Sequence, residues 1–269
     1  EVKASDIQNA YLTAPNAEKM WTTLGVEWGP LCGKKAIITR ALYGLKSAGA
    51  SFRNHLADCM GHLGYKPCMA DPDLWYKPEI RPEDKFKYYA YMLLYVDDCL
   101  CIHHDAGREL GRLDKYFMMK PGSIGDPSFY LGAKLRPMTL TNGVVAWGMS
   151  SSKYVQEAVA NIEKHLKEKN LKLPKRATTP FPTGYVPEAD VSSLLSPTEA
   201  NYFQSQIGIL GWMVELGRVD IITEVSMLSS FLAAPREGHM EAIYNIYGYL
   251  KRKHNAVLVF DPTYPGIDE

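Results

Sequence analysis

The fold is decided by the stretch Tyr91–His104, YMLLYVDDCLCIHH, in which two apolar runs flank an adjacent pair of acids, Asp97 and Asp98. The runs "FKYYAYMLLYV" and "CLCI" read as two strands joined at the acid pair. Asp is a poor strand former, and burying two carboxylates without compensation costs several kcal/mol. A plain polar hairpin turn is one reading, although common two-residue turns use Gly or Asn at positive φ. The other is a pair of carboxylates that hold divalent cations, which offset their mutual repulsion.

A second acid extends the second reading. Asp6 stands in "SDIQNAYL", which reads as a strand leading into a turn. Two-metal phosphoryl chemistry draws carboxylates from at least two chain segments to hold ions about 3.5–4 Å apart. Asp6 and Asp97 meet that need if their strands are neighbours.

Around these segments the chain is unexceptional in bulk. Its 269 residues allow one large domain or two modest ones. Thirty basic and thirty acidic residues cancel, so any attraction to nucleic acid has to come from local patches. Two such patches are Glu163–Arg176, "EKHLKEKNLKLPKR", and Tyr249–His254, "YLKRKH". The five cysteines include no CxxC pair, which favours reduced intracellular thiols over a zinc site. No apolar run approaches the roughly 20 residues of a membrane span, so no membrane partner is expected. The chain opens on Glu1 rather than Met, the expected mark of a fragment or processed product.

The remaining pattern is α+β followed by helices. Ile37–Thr39 predicts a strand, and Phe52, Leu56, Met60 and Leu63 recur at helical spacing until Gly64. A short helix is expected in "GRELGRLDKYFMM". "SFYLGAKLRPM" and "GVVAWGMS" predict a hairpin turning at Asn142-Gly143. Val155, Val159, Ile162 and Leu166 share a helical face, and Ser196-Pro197-Thr198-Glu199 is a helix start with a capping box. Further helices are expected near 220–233 and 237–253. Asp71 and Asp73 flank Pro72 in a structural turn, and His103 and His104 read as solvent-exposed strand-end residues.

Together "DIQNAYL", "ALYGLKSAGASFRNHL", "ADPDLWYK", "YVDD" and "FYLGAKL" resemble, in order and wording, the reverse transcriptases of copia-type (pseudoviral) LTR retrotransposons. The likeness continues through "QSQIGILGWMVELGRVDIITEVSMLSSFLAAPREGHMEAIYNIYGYLK". It implies an α+β right-hand polymerase. Residues 1–148 would form the palm with partial fingers and the primer-grip hairpin. Residues 149–253 would form a mainly helical thumb or connection, and 254–269 the start of a linker toward a ribonuclease H domain.

Carried over by the same resemblance, Asp6 and Asp97 ligate two Mg2+ ions (or Mn2+), with Asp98 as the auxiliary acid. Asn9, Ala10 and Tyr11 match the nucleotide site, with Tyr11 as the gate against a ribose 2′-hydroxyl. Tyr43, Gly44 and Lys46 match the loop on the incoming nucleotide and template. Leu131 and Gly132 match the primer grip, and Lys120 is a candidate general acid for pyrophosphate.

The implied activity is an RNA-directed DNA polymerase, a nucleotidyltransferase extending a primer on an RNA or DNA template with dNTPs. The implied partners are an upstream fingers segment and a ribonuclease H domain of the same polyprotein. The implied setting is intracellular: the cytoplasm, including virus-like particles. The alternative is a catalytically silent, reverse-transcriptase-derived scaffold that binds nucleic acid. Another palm enzyme, such as a nucleotide cyclase, ranks behind both, because the "YGLK" loop and gate tyrosine do not occur there in this order.

Overall fold

The computed structural model describes residues 1–263, and they form two compact units, Glu1–Pro127 and the chain from Ser128 onward. The first is built on strands β1 (Val2–Asp6), β4 (Lys66–Pro67), β5 (Leu74–Ile80), β6 (Lys87–Tyr95) and β7 (Asp98–Ile102). They make one antiparallel sheet in the order β1-β7-β6-β5-β4. A separate two-stranded ribbon pairs β2 (Pro15–Thr23) with β3 (Lys35–Arg40), the strand expected around Ile37–Thr39. The helices are α1 (Ala10–Thr13), α2 (Ala48–His62) and α3 (Ala106–Leu113).

Strand alternation gives this sheet one covered face and one open face. Ala90, Met92 and Leu94 of β6 and Cys99 and Cys101 of β7 point inward and are buried. All but Ala90 join Phe52, Leu56 and Met60 of α2 and Leu110 and Leu113 of α3 in one core. Helix α2 stops where the spacing predicted: Gly64 has φ 87°, and the Tyr65 amide donates back to the Met60 carbonyl. On the other face Tyr89, Tyr91 and Tyr95 are exposed.

The second unit combines a sheet with a helical core. Strands β8 (Phe129–Tyr130), β9 (Ala133–Thr139), β10 (Val145–Ser150) and β11 (Leu258–Phe260) lie in the order β11-β10-β9-β8. The β9–β10 hairpin turns at Asn142-Gly143, where Gly143 has φ 82° and the Asn142 side chain accepts from the Val144 amide. The helices are α4 (Ser152–Glu168), α5 (Pro197–Glu215), α6 (Ile222–Ser229) and α7 (Glu237–Arg252). Val155, Val159, Ile162 and Leu166 are buried along α4, and Ser196 caps α5 by accepting from the Glu199 amide.

One sequence expectation changes here, that of His103. The compact units divide after Pro127, with the hairpin carrying Leu131 and Gly132 in the second. The expected linker from residue 254 contains β11, which adds to β10 through Leu258–Phe260. Its last six residues, 264–269, lie outside the described residues. His103 is not exposed: it is 2% accessible, its Nδ1 accepts from the Asp105 amide, and Glu79 lies 3.8 Å from its Nε2.

Candidate active site

Backbone pairing alone brings the two acid segments together. Asp6 ends β1, Asp98 begins β7, and the two stand directly opposite each other across the ladder. Asp98 also pairs with Tyr95, so the hairpin loop is Val96-Asp97 rather than the two acids. Asp97 thus sits on the turn and Asp98 inside the strand. With Ser5, Cys99 and Cys101 turned inward, period-2 alternation puts Asp6 and Asp98 on the open face.

The turn is strained. Val96 has φ 53°, a region that a β-branched side chain adopts at a cost of about 1–3 kcal/mol. The position is held from beneath by the Asp97 carbonyl, which accepts from the Ile7 amide at 2.8 Å. Anchoring the turn to the residue after Asp6 fixes both acid segments in one frame.

The electrostatics are those of crowded carboxylates. Asp98 is pushed up to about 6, first by burial, then by the charges of Asp97 and Asp6 and a hydrogen bond with Asp6. One cation is near: the Lys120 Nζ lies 3.7 Å from Asp6 Oδ2. The Lys120 amide also donates to the Asp6 carbonyl at 2.8 Å, and the Gln8 amide donates to the Met118 carbonyl. Residues 118–120 therefore run alongside Asp6–Gln8, a contact between chain segments far apart in sequence.

Among the described residues, no three His, Cys, Asp or Glu side chains converge as a ready-made cation site. The donor chemistry still fits a hard divalent ion, which takes carboxylate oxygens and relieves the repulsion that raises Asp98.

A cavity of about 290 Å³ adjoins the turn, lined by Tyr11, Phe52, Trp75, Leu94, Tyr95 and Val96. Tyr11 projects from α1, whose start follows Asn9 in the left-handed region at φ 52°. Ala10 is buried, which pins that turn to the core. The Tyr11 ring stacks on Tyr43 at 4.7 Å and lies 5.9 Å from Phe52. Gly44 has φ 94°, a conformation that glycine adopts without strain, and it leaves Tyr43 and Lys46 on an exposed loop. The structure thus groups Asp6, Asp97, Asp98, Lys120, Tyr11 and Tyr43 within the first unit. Leu131 and Gly132 form a two-residue turn with φ 51° and 89° between β8 and β9, in the second unit.

Sequence reasoning missed a second charged cluster, behind the same sheet. Lys77 donates to Glu109 at 2.7 Å and pairs with Glu79 at 2.9 Å, while Arg112 and Tyr65 also donate to Glu109. Lys77 and Glu109 are 5% and 1% exposed, so this network is core. Alternation carried the signal: Lys77 lies two residues from Trp75, the inward-facing residue of the same strand.

No protein-family model matches the chain. Over 98% of its length the chain is 28% identical to the retrovirus-related Pol polyprotein from transposon TNT 1-94 of Nicotiana tabacum, of which it spans 19%. It is 27% identical over 79% of its length to the retrovirus-related Pol polyprotein from transposon RE1 of Arabidopsis thaliana, covering 13% of that protein. A putative transposon Ty5-1 protein of Saccharomyces cerevisiae is 25% identical over 78% of the chain, which spans 62% of it. The chain is therefore similar to copia-type retrotransposon Pol polyproteins, and in each case spans less than two thirds of the relative. None of the described helices is long and apolar enough to cross a membrane.

Proposed function

We propose that the chain carries the nucleotidyl-transfer centre of an RNA-directed DNA polymerase, with the first unit as palm and partial fingers and the helices of the second as thumb or connection. The observation that carries this reading is the juxtaposition of Asp6 and Asp98 across β1 and β7, with Asp97 on the adjoining turn. Similarity to retrotransposon Pol polyproteins supports it.

In this reading Asp6, Asp97 and Asp98 hold two Mg2+ or Mn2+ ions. Bound there, such ions lower the pKa of a primer 3′-hydroxyl and neutralise charge on the triphosphate and leaving pyrophosphate. The chain's own groups do the rest. The Tyr11 ring, braced by Tyr43 and Phe52, excludes a sugar 2′-hydroxyl, and Lys120 supplies a proton-bearing Nζ beside Asp6. Asn9, Ala10, Gly44 and Lys46 shape the nucleotide site, and Leu131 and Gly132 position the primer. The substrates are a primed RNA or DNA template and dNTPs. The partners are the upstream fingers and the ribonuclease H domain of a Pol polyprotein, in the cytoplasm or a virus-like particle.

The test is Mg2+-dependent primer extension by the chain and by a longer Pol segment containing it. Extension lost on Asp97→Asn supports the reading, and a wild-type rate in that variant overturns it. Duplex binding without extension by either protein selects the silent scaffold instead. That alternative draws on the unconverged acid side chains.

A further inference from the structure

β1 is an edge strand of the sheet in the first unit, and its free edge is covered by residues 118–125 of the same unit. Ile7 pairs with Met119 at one end of this contact and Ala4 with Gly125 at the other. The covering segment uses more residues than β1 over that length, and the surplus is looped out as a turn, Lys120-Pro121-Gly122-Ser123. The Ser123 amide closes it by donating to the Lys120 carbonyl at 3.0 Å. Pro121 and Gly122 hold the two central positions, and Gly122 has φ 73°, the arrangement of a type II turn.

The turn interrupts the ladder at one residue. Ala4 exchanges both main-chain bonds with Gly125, and the Asp6 carbonyl accepts from the Lys120 amide at 2.8 Å. The Asp6 amide, which a continued strand would give to a carbonyl, donates instead to the Ser123 hydroxyl at 3.2 Å. That hydroxyl is also bonded to the Ser5 hydroxyl at 2.8 Å. One turn thus holds the main chain of Asp6 at both its N–H and its C=O. The first residue of the same turn carries the Nζ that lies 3.7 Å from Asp6 Oδ2.

Covering an edge strand is a common structural device, and it accounts for the Ala4–Gly125 bonds and the run of Met118 and Met119 beside Ile7 and Gln8. It does not account for the serine. An edge cover is served by main-chain acceptors, whereas here a part-buried hydroxyl meets the one residue of β1 that carries a site carboxylate. Ser5 tightens the arrangement. It is 2% exposed, so a Ser123 side chain that turned away would leave a buried hydroxyl without its hydrogen bond.

We infer that Ser123 is a positioning residue for nucleotidyl transfer: acting through the main chain of Asp6, it presents the Asp6 carboxylate and the Lys120 ammonium as one preset pair. The role rests on the polymerase reading for its reaction, while the turn and its bonds stand without it. Ser123 touches no reacting group. Its effect is therefore expected in the rate of the chemical step and in cation affinity, and not in nucleotide affinity.

The experiment uses the full chain and the longer Pol segment, each with Ser123→Ala, Ser123→Thr or the double variant Ser5→Ala/Ser123→Ala. Ser123→Ala is expected to lower kcat for primer extension about tenfold and to leave KM for dNTP unchanged. It should also weaken Mn2+ binding to the full chain about tenfold, read by water-proton relaxation without primer or dNTP. Ser123→Thr keeps the hydroxyl and should restore both. The double variant also removes the orphaned Ser5 hydroxyl, so its melting temperature should return toward that of the parent chain. Its kcat and Mn2+ affinity should stay low, because the Asp6 amide still lacks its acceptor.

Parental Mn2+ affinity in Ser123→Ala overturns the inference, and so does a parent chain that binds no Mn2+. A double variant that regains Mn2+ affinity together with stability makes Ser123 a packing residue only, and a raised KM with kcat intact also removes the positioning role. Failure of the polymerase reading looks different. Mn2+ affinity then still falls with Ser123→Ala and returns with Ser123→Thr, while neither the full chain nor the longer Pol segment extends a primer.

Discussion

One sheet of the first unit carries charge on both faces and treats it in opposite ways. On the open face Asp6 stands opposite Asp98 with Asp97 on the adjoining turn, and among the described residues the one cation paired with these acids is Lys120, 3.7 Å from Asp6 and itself largely exposed. On the covered face Lys77, Glu109, Arg112 and Glu79 neutralise one another through short hydrogen bonds. The carboxyls respond accordingly. Burial raises both, but hydrogen bonds from Lys77 and Arg112 outweigh it at Glu109 and hold it below the usual carboxylate range. At Asp98 the neighbouring acids add to burial, and the group rises to about 6. A cluster built for stability is closed and paired, whereas the acid pair is open and left without matching charge.

The largest test of that contrast is on the open face. Asp97→Asn should lower primer extension by about 10³-fold, the loss of several kcal/mol of transition-state stabilisation. Thermal stability should hold or rise slightly, because a charge that disfavours ionised Asp98 is removed. A fall in melting temperature with extension intact would reverse the roles given to the two faces.

On the covered face the outcome should be the reverse. Lys77→Met leaves buried Glu109 with Arg112 and Tyr65 alone and should destabilise the first unit by about 2–3 kcal/mol, measured by denaturant unfolding. Adding Glu109→Leu should recover much of that loss, since Arg112 is 39% exposed and can turn to water. The pH dependence has a definite sign. Because Glu109 is depressed in the fold, its contribution is complete above its ordinary value of 4.5 and is lost as pH falls through the lower folded value. Acid melts of the double variant should lack that component.

A smaller effect belongs to the rim of the cavity beside the turn. Tyr11→Val should relax discrimination against ribonucleotides by about 10–100-fold, read as the ratio of kcat/KM values for dNTP and rNTP. Unchanged selectivity would reduce Tyr11 to a packing partner of Tyr43 and Phe52.

Much of this was legible in the sequence, for local reasons. The apolar runs on either side of Asp97-Asp98 announced the hairpin, and the spacing of Phe52, Leu56 and Met60 announced α2 with its stop at Gly64. That the strands of Asp6 and Asp97 are neighbours was only conditional, because register between distant strands is a tertiary property. The approach of Lys120 to Asp6 was likewise invisible in residue spacing, as it depends on residues 118–120 running beside β1. His103 misled because a polar residue after a strand usually faces water. Here alternation from Cys99 and Cys101 turned it into the core. Lys77 was hidden by its charge, although the same alternation placed it with Trp75.

The finest test concerns how the open face keeps its acids in place. Val96 occupies positive φ where glycine would be relaxed, so Val96→Gly removes backbone strain of about 1–3 kcal/mol. Glycine returns about 0.5–1 kcal/mol of that through greater freedom in the unfolded chain. The net expectation is a gain of about 1 kcal/mol, visible as a small rise in melting temperature. Extension should nevertheless fall severalfold, because glycine frees the turn that presents Asp97 and opens the cavity wall against Tyr11. Stability and activity would then move in opposite directions at one residue. If both rise together, strain at Val96 is incidental, and the Ile7–Asp97 hydrogen bond alone fixes the turn.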